Sequence, residues 1–194
     1  TDRALDRSSE DMSDFPSDFP LEQLSDQEFA HMSGPFALHR MPATVSGVCL
    51  VAMDRGVVRY LVDEVASRES TVLVLAKGIT HRAGHLQGGW DSRGARELSY
   101  TRLRVLGGHS LLEIRAFGND VGDCPRLLAR VGHPVIGDRK WGVGRTNDYF
   151  LHRHWLERPF VHIARVQMSR GGVGLDLRSE LAPDLAAVRA SLEA

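Results

Sequence analysis

Leu128-Ala129-Arg130-Val131-Gly132-His133-Pro134-Val135-Ile136-Gly137-Asp138-Arg139-Lys140-Trp141-Gly142 joins a short helical pattern to a glycine-punctuated loop. Arg126 to Val131 suits a short helix, and Gly132 is the residue type that stops one. Pro134 to Gly144 then reads as a loop, with Gly137 and Gly142 as its turn points. His133 and Asp138 suit hydrogen bonds inside that loop at least as well as contacts to a ligand. Arg139 and Lys140 are better placed to meet phosphate.

Outward from this stretch the chain alternates strand and helix signals without a regular βαβ order. Upstream, Val48 to Met53 is a continuous apolar run that suits a buried strand. Arg55 to Ala66 carries Val57, Val58, Leu61, Val62 and Val65 at helical spacing. Thr71 to Ala76 is rich in β-branched residues, and His81 to Gly94 is glycine-rich and turn-like. Leu98 to Leu106 and Ser110 to Phe117 flank Gly107-Gly108 as a hairpin. Downstream, Phe160 to Met168 and Val173 to Leu177 pair across Gly171-Gly172. Ala182 to Leu192 reads as a terminal helix with Pro183 and Asp184 in its first turn. This order predicts an α+β fold with a mixed, mostly antiparallel sheet and flanking helices.

The 194 residues and 42% hydrophobic content are enough for one cored domain. Cys49 and Cys124 make neither a disulfide framework nor a zinc site, and a chain with so few cysteines suits a reducing compartment. No apolar run reaches membrane-spanning length. The net charge of −1 conceals an asymmetry. Residues 1–30 hold nine carboxylates and two arginines, whereas the remainder holds 22 basic and 16 acidic side chains. Residues 1–33 therefore read as an acidic irregular arm, with Phe15 and Phe19 as anchors and a short helix from Leu21 to Met32. Residues 34–194 read as the globular domain. Its cations are arginines except for Lys77 and Lys140, a bias that suits RNA and equally a GC-rich genome. The acidic start is unlike a secretory signal or a retained transit peptide.

The loop His39-Arg40-Met41-Pro42-Ala43-Thr44-Val45-Ser46-Gly47 resembles the H-R-L-D-x-x-T-S-G signature of the RluA-like (large-subunit rRNA type) pseudouridine synthases. The likeness continues in order along the chain. Ser46 to Arg55 is similar to the strand after that signature. Leu75-Ala76-Lys77-Gly78 resembles the end of the second motif. Ser110 to Arg115 resembles the S-L-L-E-V strand. Leu128 to Gly142 is close to H-L-A-x-x-G-H-P-I-x-G-D-x-x-Y-G. Val161-His162-Ile163-Ala164 and Ala182-Pro183-Asp184-Leu185 stand where the family has L-H-A and its closing segment. The resemblance implies the pseudouridine synthase fold with a central RNA cleft and a reaction that needs no metal or nucleotide cofactor.

The same resemblance implies that the chemistry is lost. The family's catalytic aspartate falls at Pro42, which has no ionisable group and no backbone N–H. Its second-motif tyrosine falls at Val72. Its third motif falls on Asn119 to Pro125, with Pro125 where the arginine that pairs with the aspartate belongs. Catalytic residues are therefore expected to be none. Asp120 or Asp123 would have to serve as a relocated carboxylate in a divergent active enzyme, which is the alternative reading.

For RNA contact the candidates are Arg40, Arg102, Arg104, Arg139, Lys140, Arg153 and Trp155. Arg102 and Arg104 alternate with Leu103 and Val105 and so are expected on one exposed strand face. His152, Arg153, His154 and Trp155 form a basic-aromatic cluster, or else an ordinary loop edge. His31, His39, His81, His85 and His109 are scattered without metal-ligand spacing. Cys124 lacks a base partner and is not expected to be a nucleophile. The expectation is an inactive pseudouridine-synthase-like RNA-binding protein. Its expected partners are structured RNA, above all rRNA, and neighbouring proteins met through the arm, with no membrane. The setting preferred by analogy is an organellar, mitochondrial ribosome or its assembly, with the cytoplasm as the other location.

Overall fold

The computed structural model describes residues 35–39, 41–54, 56–58, 61, 67–87, 97–118, 120–170 and 173–193. The acidic arm, Arg40 and most of the expected 55–66 helix lie outside the described residues; residues 56–58 are helical. The strands are β1 (Phe36–Ala37), β2 (Ser46–Gly47), β3 (Val51–Ala52), β4 (Glu69–Ala76), β5 (Ala83–Gln87), β6 (Glu97–Leu106), β7 (His109–Phe117), β8 (Val161–Arg170) and β9 (Val173–Arg178). A 3-10 turn at Asp120–Asp123 leads into α1 (Cys124–Arg130), and α2 (Gly144–His154) and α3 (Pro183–Glu193) follow.

Seven strands form one sheet in the order β2-β8-β4-β7-β6-β5, with β9 on β8. Among the described residues only β2 and β8 run parallel. The architecture is the expected α+β sheet with flanking helices. β4 sits at its centre between β7 and β8, with Val72 and Val74 on a fully buried face. Val72 and Val74 pair with Ile114 and Leu112 on one face, and all four are fully buried. On the other face Leu75, Leu111 and Leu106 pack with Ile136, Phe150, Leu156, Phe160, Leu185 and Val188. Each such large apolar side chain contributes about 1.5–3 kcal/mol when fully buried. This second core fixes α2 and α3 over one end of the sheet. The remainder of that face is an open groove of about 510 Å³, lined by Thr71, Glu113, Arg115, Arg165 and Arg178 among others.

Four expectations are corrected. Val48 to Met53 is not one buried strand: only Val51–Ala52 is strand, Val48 and Leu50 are buried, and Val51 is 49% exposed. The segment runs along the rim, where one side meets the core and the other meets water. The glycine-rich 81–94 segment contains β5, an edge strand; a Cβ on Gly84 would stand 2.7 Å from the Tyr100 hydroxyl oxygen. That glycine makes room for a cross-strand ring rather than a turn. The cluster of residues 152–155, offered otherwise as a loop edge, ends a helix over residues 144–154. Their one buried side chain is Phe150, and the helix is held by docking: Gly137 N–H donates to Asn147 Oδ1 at 2.8 Å, and Asn147 Nδ2 donates to the Asp138 carbonyl at 2.7 Å.

The fourth correction concerns Arg102 and Arg104. A bulge between them sets Arg102 opposite Leu112 and Arg104 opposite Leu111, which are consecutive residues of β7. Consecutive strand residues point to opposite faces, so the two arginines part. Arg102 donates to the Thr80 carbonyl, whereas Arg104 reaches Glu193 of α3 at 3.4 Å.

Candidate functional site

The loop 39–47 is held by what surrounds it rather than by its own residues. Pro42 opens a turn closed by Val45 N–H to its carbonyl at 2.9 Å, and residues 42–44 are exposed. Ser46 and Gly47 then pair in parallel with His162 and Ile163. Gly47 has φ 116°, a region open mainly to glycine. Arg158 clamps the turn from the side: its Nη1 donates to the Thr44 carbonyl at 3.1 Å and its Nη2 to Ser46 Oγ at 3.0 Å. The same guanidinium grips both oxygens of Asp184 at 2.7 and 2.9 Å. Arg158 thereby ties the loop to the first turn of α3, and its hydrogen bonds hold the Asp184 carboxyl below the usual range.

Ser46 Oγ also lies 2.9 Å from His162 Nδ1. Burial disfavours the charged form of His162. Its Nδ1 then accepts from the Ser46 hydroxyl, leaving an Nε2 hydrogen facing the Ser179 carbonyl at 3.4 Å. The pair closes the seam between the loop and β8. A hydroxyl that receives a hydrogen bond from Arg158 and a histidine that is 1% exposed are parts of a fastening.

Behind the loop lies a buried polar centre. His39 is 5% exposed and Arg68, which leads into β4, is 2% exposed. Burial first, and then the positive field of Arg68, lower the His39 pKa to about 4, with a contact to the Val48 backbone pulling the other way. Burial also lowers the Arg68 pKa to about 10, while Asp120 opposes the shift. The start of the signature loop, the approach to β4 and the 3-10 turn of the third-motif segment are thus within electrostatic reach of one another. The positions matched to catalytic residues carry no charge into this centre. Pro42 is exposed, Val72 is fully buried between Ile114 and Ile163, and Pro125 sits half-buried in the first turn of α1. Cys124 is fully buried, its thiol pushed up to about 12, which leaves it inert as a nucleophile.

The other predicted residues fall in separate places. His133 Nδ1 lies 3.0 Å from the Lys77 carbonyl, and Asp138 Oδ1 accepts from Lys140 and Trp141 N–H at 2.7 and 2.6 Å. Both are therefore parts of the turn. That turn lifts Arg139, Lys140 and Trp141 to the surface at the start of α2, with Lys140 Nζ 5.3 Å from the Trp141 ring. Arg153 and Trp155 lie at the other end of the same helix. Two residues that sequence reading missed stand between them: Arg145 and Tyr149, which with Arg153 follow one another at the i, i+4 spacing of a single helix face. All three are exposed. The hidden signal was the helix itself.

This surface differs from the open groove. In the groove Arg165 and Arg178 pair with Asp176, and Arg115 with Glu69. Around α2, Arg139, Lys140, Arg145 and Arg153 pair with no carboxylate among the described residues. The aromatic residues there are 40% (Trp141), 57% (Tyr149) and 80% (Trp155) exposed. No group of three or more potential metal ligands occurs among the described residues, and no described helix is long and apolar enough to cross a membrane.

No protein-family model matches the chain, and neither does any curated protein. Among solved structures it is similar to human RNA pseudouridylate synthase domain containing 1. The TM-score is 0.63 at 16% identity, over 80% of this chain and 73% of that one. It is also similar to human RNA pseudouridylate synthase domain containing 4, with a TM-score of 0.62 at 15% identity over 82% and 76% of the two chains. The parallel seam at Gly47, the central β4 and the docked 128–142 turn thus belong to a chain with the pseudouridine synthase fold.

Proposed function

We propose that this chain is a catalytically inactive pseudouridine-synthase-like protein that binds structured RNA, and that it serves as a structural component or assembly factor of an organellar ribosome. The observation that carries the reading is the state of Val72. A synthase needs an aromatic side chain there, open to a base turned out of its stack. Val72 is instead sealed at 0% exposure between Ile114 and Ile163. Pro42 removes the carboxylate, and Pro125 removes the arginine that would have paired with it. The frame around these positions serves the fold, while the cations around α2, which pair with no carboxylate among the described residues, supply what RNA binding requires.

A second reading is favoured by one observation: Asp120 acts electrostatically on the buried Arg68, so a carboxylate of the segment matched to the third motif lies within reach of a guanidinium. In that reading Asp120 is a relocated catalytic carboxylate. Pseudouridine mapping of the RNA that co-purifies with the protein, with and without depletion, separates the two. The inactive reading expects an unchanged pseudouridine map. Loss of one site on depletion, restored by the wild-type chain but not by Asp120→Ala, overturns it. Absence of RNA affinity, with no dependence on salt, removes both.

A further inference from the structure

Trp155 is the one described non-glycine residue with positive φ, at 57°, and its side chain is 80% exposed. It caps α2 in the left-handed conformation, its N–H reaching the Leu151 carbonyl at 3.1 Å. Glycine or asparagine is the usual residue there, because a Cβ in this region is strained. The largest apolar side chain thus stands at a strained position and covers nothing. Neither the helix nor the core benefits, so the fold alone does not account for it. Its surroundings are cationic: residues 139–155 carry Arg139, Lys140, Arg145 and Arg153 against the single carboxylate of Asp148.

We propose that Trp155 is a stacking platform for an unpaired nucleotide, and that Arg145, Tyr149 and Arg153 carry the flanking strand along α2. The proposal rests on the RNA-binding reading above and narrows it to single-stranded or loop RNA held outside the former catalytic cleft. Base stacking suits this surface because an indole accepts any base on its face, while the arginines neutralise successive phosphates. α2 spans eleven residues, about 16 Å along its axis, so Trp141 and Trp155 at its two ends bracket a track two to three nucleotides long. A protein partner is disfavoured by charge, since four cations that pair with no carboxylate among the described residues are costly to bury without carboxylates opposite them.

The test compares an unstructured RNA oligonucleotide with a blunt duplex of equal length, against the whole chain and its variants. Trp155→Ala should weaken binding of the single strand about tenfold or more, with little change for the duplex, and Trp155→Phe should retain most of the affinity. Trp155→Asn relieves the left-handed strain, so it should raise the denaturation midpoint and still lose single-strand affinity; a merely structural role would not separate these. Arg145→Ala with Arg153→Ala should flatten the salt dependence. Wild-type single-strand affinity in Trp155→Ala overturns the proposal and leaves the RNA-binding reading standing, and a tryptophan that docks a protein instead would give that result. Absence of RNA binding by the wild-type chain overturns both.

Discussion

A Cβ placed on Gly47 would stand 2.1 Å from the carbonyl oxygen of Ile163. The next residue bonds to that same oxygen, Val48 N–H donating at 3.0 Å. The end of the signature loop is therefore pressed onto β8 at a distance that only glycine permits, and in a backbone region that only glycine adopts without strain. The obstacle is backbone, so no rotamer change relieves it. Gly47→Ala should cost about 3 kcal/mol or more, read as a lower urea midpoint. A near-neutral result would mean that β2 is not part of the sheet in solution.

Arg158 gives the second prediction. Its guanidinium satisfies the Thr44 carbonyl, Ser46 Oγ and both oxygens of Asp184 at once. Solvent reaches both partners of the ion pair, with side chains 23% and 47% exposed, so screening discounts the attraction. Arg158→Ala should still cost about 1–2 kcal/mol, because two loop acceptors and the Asp184 carboxylate lose their donor. Arg158→Lys should recover less than half, since an ammonium cannot reproduce the fork. A double-mutant cycle with Asp184→Ala should give coupling near 1 kcal/mol or below.

The residues that made the fold legible are those whose identity is fixed by backbone geometry or by the central sheet. Gly132 and Gly137 have φ of 83° and 84°, and the β-branched run of β4 lies between two partner strands with Val72 and Val74 fully buried. Their meaning is local and survives in the sequence. The helix α2 was not legible because its reasons are distant. It buries Phe150 alone and owes its start to Asn147 gripping the 137–138 turn, a contact that no periodicity records. The β6 bulge was hidden for a similar reason: Arg102, Leu103, Arg104 and Val105 alternate perfectly in sequence, and only the register against β7 breaks them. In the candidate site, Pro42 was readable as a residue type without an ionisable group. The centre in which Asp120 acts on the buried Arg68 beside His39 was not, because it draws on segments 29 to 81 positions apart. Trp155 was singled out from sequence for its basic neighbours; its strain and exposure belong to the structure.

The bulge supplies a third prediction. Arg102 is half-buried and donates to the Thr80 carbonyl, whose own N–H is held by Ser110 Oγ at 2.9 Å. Arg104 is 68% exposed and meets a Glu193 that is itself 36% exposed. Arg102→Ala should cost about 1 kcal/mol by leaving a buried acceptor short of a donor. Arg104→Ala should stay within about 0.5 kcal/mol. Equal costs would mean that the two side chains share one face after all.

The last prediction follows from His39. Its pKa is about 4 in the folded protein against 6.5 for an unperturbed histidine, through burial and then the field of Arg68. Above 6.5 neither state carries the proton, and the site is silent. As pH falls below that value the unfolded chain takes up a proton that the folded chain refuses, so stability declines with pH. The decline continues until the folded pKa near 4 is passed, and it amounts to roughly 2–3 kcal/mol over the window. His109, His154 and His162 are also shifted down by burial, so the wild-type curve falls for several reasons together. His39→Gln isolates one of them. It should flatten the loss of stability between pH 6.5 and pH 4 while leaving the curve at pH 7 to 8 parallel to wild type. Parallel curves across the whole range would place a protonated His39 in the fold, and Arg68 would then need a carboxylate close to both.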